Sequence, residues 1–173
     1  MCNYAIRTVL SLLLFLCASA NAQVLWGDTN TSMSIDQVQK VQPSASDTFE
    51  KPGKLDNGAV EKLRLKNVEI DGIQYSASFY FLNEKLHQVS LSARDVEASS
   101  VLHKYRALVE ALKSKYGDEI SKKYENGRLG ITASSMWQSG KTTIRINLFS
   151  FSGSPGSLYI FYNTVLASTA DKL

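Results

Sequence analysis

From Gln74 to Phe81 polar and apolar residues alternate: Tyr75, Ala77, Phe79 and Phe81 interleave with Gln74, Ser76, Ser78 and Tyr80. A period of two puts the sets on opposite faces of a strand, one buried and one wetter, with Tyr80 on the wetter side. Upstream, "KLRLKNVEI" reads as a strand joined to "IQYSASFYFL" through Asp71-Gly72, the signature of a two-residue hairpin turn. Its apolar parity moves from Leu63 and Leu65 to Val68 and Ile70, which a bulge near Lys66-Asn67 accommodates. Asn83-Glu84 turns the chain into a third strand, "KLHQVSLSA", where Val89, Leu91 and Ala93 keep the alternation.

A helical period brackets this meander. In "MSIDQVQKV", Ser34 and Gln37 have the spacing of a capping box. Ile35, Val38 and Val41 share a face, and Pro43 ends the helix. Residues 43–58 hold two of the three prolines and read as a long loop. Over Glu97–Tyr116, Leu102, Tyr105, Leu108, Val109, Leu112 and Tyr116 form one stripe, and Gly117 closes the helix. Three strands complete the chain, "GITASSMWQ", "KTTIRINLFSF" and "SLYIFYNT", with turns at Ser139-Gly140 and Ser152–Gly156. The order predicts an α+β fold of two tandem helix-plus-three-strand units, residues 23–95 and 96–173, with helices covering an antiparallel sheet.

The first 22 residues change the picture of compartment. Arg7, the apolar run "VLSLLLFLC" and Ala20-Asn21-Ala22 read as a cleaved signal peptide with the mature chain starting at Gln23. An apolar run of nine residues is too short to cross a bilayer, which takes about 20, so no transmembrane segment is expected after cleavage. Leu16 before Cys17 is unlike the small residue that a lipidation site needs, so Cys17 reads as leader. Cleavage removes both cysteines and leaves 151 of the 173 residues, a single domain that must be held by its hydrophobic core. A cysteine-free exported chain suits a periplasm, or secretion more broadly. Without Arg7, 18 Lys and Arg stand against 16 Asp and Glu, a net of +2 that gives no support for nucleic-acid binding.

Two histidines and no mature cysteine exclude most transition-metal sites, and no cofactor is expected. His87 lies beside a core pattern and His103 off the helical stripe, both reading as structural or solvated. "SGSPGS" lacks the spacing of a nucleophile elbow. Gly140-Lys141-Thr142 has Ser135 where a phosphate loop needs its first glycine, and a strand follows it, so it reads as a hairpin turn. Lys62, Arg64 and Lys66 alternate as a basic row, either an anion-binding edge or, as the balanced charge favours, a guard against stray strand pairing.

"MSIDQVQKVQPSA" followed by "FYFLNEKLHQVSL" resembles the helix-then-strands unit of the small BamE/SmpA envelope proteins. Two such units in tandem are similar to the β-lactamase-inhibitor-protein-like fold. Ser32 stands where that motif usually has a glycine, and the second half has no matching short motif. The resemblance implies an envelope protein that binds other proteins and carries no catalytic residues. Residue types add to this, because aromatic and arginine side chains dominate binding hot spots. Tyr80, Trp137, Arg145, Tyr159 and Phe161 are the candidate protein-binding residues, although alternation does not fix which face Trp137, Tyr159 and Phe161 occupy. The expectation is therefore a soluble, non-enzymatic, protein-binding module of the periplasm, such as an inhibitor, an immunity-type protein or an envelope accessory. Its partner would be another envelope or periplasmic protein. A small-ligand or anion carrier is the alternative, and an enzyme comes third.

Overall fold

The computed structural model describes residues 23–47 and 50–164. The leader predicted over residues 1–22 and its cleavage site lie outside the described residues. The chain runs α1 (Ile35–Val41), β1 (Val60–Ile70), β2 (Ile73–Leu82), β3 (Lys85–Val96), α2 (Ala98–Tyr116), β4 (Ser121–Gly127), β5 (Gly130–Ser139), β6 (Thr142–Phe151) and β7 (Gly156–Thr164).

Local signals produce most of these elements. The capping box closes at both ends: Ser34 N–H donates to Gln37 Oε1 at 2.9 Å, and Gln37 N–H to Ser34 Oγ at 3.3 Å. Asp71 and Gly72 both take positive φ, 50° and 69°, as do Asn83 and Glu84 at 49° and 59°, so two tight turns fold β1–β3 into a meander. Asn67 at φ 59° carries the bulge between Leu65 and Val68.

The architecture differs from the predicted one. Two tandem helix-plus-three-strand units are not formed. Instead one seven-stranded antiparallel sheet carries two helices, with strand at 52% and helix at 19% of the described residues. The strand order is β1-β2-β3-β7-β6-β5-β4. Two departures cause this. The segment "SKKYENG", exposed throughout and therefore without a hydrophobic period, is a strand, β4, paired from Ser121↔Met136 to Gly127↔Gly130. β7 then pairs antiparallel with β3, Val89 opposite Tyr162 and Leu91 opposite Ile160, fusing both meanders into one sheet.

Register explains the core. Leu63, Phe79, Val89, Tyr162, Ile144 and Trp137 lie opposite one another in turn across six strands, all of them buried. On this face α1 contributes Val38, and α2 contributes Val101, Tyr105 and Leu108. At the start of β7, Gly156 lets the helix come close: a Cβ there would sit 2.7 Å from Val101 Cγ2. Both helices join one core, and the opposite sheet face carries neither.

Candidate functional site

The face without helices is built from the residues that alternate with the core. One row crosses all seven strands: Arg64, Ser78, Ser90, Phe161, Arg145, Met136 and Ser121. The next row runs Ser76, Ser92, Tyr159, Asn147, Ser134 and Lys123. Serines therefore carpet β2 and β3, while β6 and β7 hold rings. Tyr159 and Phe161 stack with centroids 6.1 Å apart and planes 7° from parallel, and Phe149 meets the edge of Tyr159 at 5.9 Å. Both are favoured ring geometries. The three rings make a rigid apolar stripe at the middle of a polar surface.

Two depressions flank the stripe. A groove of about 1030 Å³ lies between the 51–55 loop, β1–β3 and the rings of Tyr159 and Phe161. A smaller hollow of about 440 Å³ lies over β4–β6 and is lined by Lys123, Arg145, Asn147 and Phe149 among others. The charges are one-sided. Lys51, Lys54, Arg64, Lys66 and Arg94 line the groove against the single acid Glu61, and Lys123 and Arg145 line the hollow against Glu125. The whole chain carries only +3, so this face concentrates the excess.

Glu61 organises one end of the groove. A register irregularity at Lys62 places Glu61 and Arg64 on the same face, and it also breaks the predicted basic row. Arg64 Nε and Nη2 donate to the two carboxylate oxygens of Glu61, each at 2.6 Å, a bidentate pair. Gly53 N–H donates to Glu61 Oε2 at 2.9 Å. Burial pushes the Glu61 carboxyl up, but hydrogen bonds from Arg64, Gly53 and Ser78 and the Arg64 charge outweigh it, holding it below the usual carboxylate range. The same loop reaches Tyr80, and a Cβ at Gly53 would lie 2.6 Å from the tyrosine hydroxyl. Burial, with help from the Glu61 charge, raises the Tyr80 phenol.

The sequence candidates divide accordingly. Tyr80, Tyr159 and Phe161 line the groove, and Arg145, exposed, sits directly opposite Phe161 in the hollow. Tyr80 lies on the wetter side of its strand, half-buried against the loop. Trp137 does not join them. It is 0% exposed on the helix-covered face, and its Nε1–H donates to Gly117 O at 3.0 Å. Phe149, Arg94 and the Glu61–Arg64 pair were not singled out by the sequence reading. For Phe149 the signal was present, since it shares the parity of Arg145 and Asn147 against Ile144, Ile146 and Leu148.

The histidines lie elsewhere. His87 is 8% exposed, and Asn57 Nδ2 lies 2.8 Å from its Nε2. Asn57 Oδ1 accepts from Ala59 N–H, so the amide nitrogen faces the ring and His87 Nε2 is the acceptor, a neutral imidazole. Burial pushes the His87 pKa down, in keeping with that form. His103 is exposed on α2. Among the described residues no group of three or more His, Cys, Asp or Glu side chains is placed to hold a metal ion. No helix among them is long and apolar enough to cross a membrane. Compared with protein-family models, with curated proteins and with solved structures, the chain matches none.

Proposed function

We propose that the protein is an exported, soluble, non-catalytic binding module that holds a protein partner on the open face of its sheet. The observation that carries this reading is the Phe149–Tyr159–Phe161 stripe set among cations on a face that neither helix covers. Rigid aromatic anchors give contact area at low conformational cost, and flanking charge selects the partner. The partner therefore presents acidic groups around an apolar contact. The leader read over residues 1–22 supports export, and so a partner in the periplasm or cell envelope.

Site-specific photocrosslinking tests the reading. A photoreactive residue at Tyr159 should capture one partner from an envelope extract, and the same residue at exposed His103 on α2 should not. Arg145→Glu should abolish capture from position 159. Equal capture from both positions, or capture indifferent to Arg145→Glu, would sink the proposal. The groove of about 1030 Å³ favours a second reading, a carrier for a small anionic ligand. It predicts a thermal shift with small anions that Arg94→Ala removes and Arg145→Ala leaves in place.

A further inference from the structure

The two edges of the sheet are finished differently. Along β1 the chain covers its own edge. Ser46 and Arg64 exchange backbone hydrogen bonds at 3.0 and 2.8 Å, Lys54 bridges Val60, and Glu61 N–H donates to Gly53 O. Strand β4 ends the sheet on the other side, and among the described residues nothing pairs with its outer side. An edge of this kind is a template for another strand. The apolar groups around it fit that role: Tyr124 is 53% exposed and Leu129 75%, and Ile120 and Phe151 are exposed beside them.

We infer that β4 pairs antiparallel with β4 of a second copy of this chain, about a two-fold axis at Tyr124. The charge order of "SKKYENG" specifies this register. With the axis at Tyr124, Lys123 of each copy lies opposite Glu125 of the other, and Lys122 lies opposite Asn126. An axis one residue earlier sets Lys123 against Lys123, and one residue later sets Glu125 against Glu125. Parallel pairing in register opposes both lysines to themselves. Only the Tyr124 register gives two attractive pairs and no repulsive one, and directly opposed charges count at such positions.

The faces agree as well. Tyr124 lies opposite Ala133 and shares the core side, whereas Lys123 lies opposite Ser134 and shares the open side. In the dimer the two tyrosines meet beyond the end of each core, and the Lys–Glu pairs line the open face. Lysines that guard an edge against arbitrary strands become selective for one whose glutamates fall opposite them. The sheet then continues from one copy into the other, and the two open faces form a single surface. This inference does not depend on the partner proposed for that face.

Sedimentation of the purified protein across a concentration series tests it. Wild type should form a dimer. Lys123→Glu and Glu125→Lys should each weaken dimerisation about tenfold or more, and the double reversal should restore it. A cysteine at the axis reads the register directly. In a Cys2→Ser/Cys17→Ser background, Tyr124→Cys should oxidise to a covalent dimer, since opposed antiparallel residues lie about 4.5–5.5 Å apart at Cα, within disulfide reach. Lys122→Cys, about 13 Å from its own copy in this register, should stay monomeric on non-reducing gels. A monomer at all concentrations, single reversals without effect, or faster crosslinking at position 122 than at 124 would each overturn the assignment.

Discussion

At Glu61 a buried carboxylate is kept charged by its partners, and that has a measurable consequence. Its folded pKa is depressed below the unfolded value of about 4.3. The stability it contributes is therefore present above that value and is lost as pH falls through the lower folded pKa. Replacing Arg64 by Met removes both bidentate bonds and the neutralising charge from a carboxylate that is 2% exposed in the wild type. Breaking one side of a buried pair costs about 3–5 kcal/mol, and the half-exposed Arg64 puts this case at the lower end. Burial then dominates, and the Glu61 pKa rises above its unfolded value. The sign of its pH dependence reverses: its contribution becomes most favourable at low pH and falls as pH rises. Urea unfolding of wild type and Arg64→Met between pH 4 and pH 7 reads this slope. Parallel curves would show that the pair does not set the Glu61 ionisation.

Between elements, the tightest constraint is where β7 begins beneath α2. A methyl group at Gly156 would press on Val101, a side chain 1% exposed with no room to retreat. Gly156→Ala should cost about 1–3 kcal/mol in denaturant unfolding, as overpacking does. Adding Val101→Ala should make the double variant more stable than the sum of the singles, because the two changes share one space. Strict additivity would place the strain elsewhere. The elements that the sequence revealed were those with local signals: the Ser34–Gln37 box, the Asp71-Gly72 turn, the Asn67 bulge and the stripe of α2. Strand β4 had none, since an edge strand with every residue exposed alternates in nothing that hydrophobicity records. In β5 the buried parity holds Ala133, Ser135 and Trp137, so a serine interrupts the pattern that would have sent Trp137 inward. The β3–β7 pairing joins residues some 70 positions apart, and no local rule anticipates it.

For the whole molecule, the proposed function requires the sheet to separate stability from binding by face, and paired measurements on one set of variants test this. Phe79 is 0% exposed at the centre of the covered face, so Phe79→Ala should cost about 3–5 kcal/mol of stability. Arg145 projects from the other face, and among the described residues its only side-chain hydrogen bond is a long one from Nη2 to Met136 Sδ at 3.6 Å. Arg145→Ala should change stability by no more than about 0.5 kcal/mol. Tyr159 and Phe161 are half-buried by each other, so their alanine variants should fall between these limits. Affinity for the captured partner should rank the other way. Tyr159→Ala and Phe161→Ala should weaken binding by more than about 1 kcal/mol, chiefly through faster dissociation. Arg145→Ala should act mainly on the association rate, because an exposed cation steers an acidic partner from a distance. That part should fade as salt rises, since the screening length shrinks from about 10 Å at 0.1 M to about 3 Å at 1 M. The aromatic part should persist in high salt. If Phe79→Ala and Phe161→Ala lower stability equally and neither alters affinity, the open face acts as a second core surface. Binding would then have to be sought on the helices.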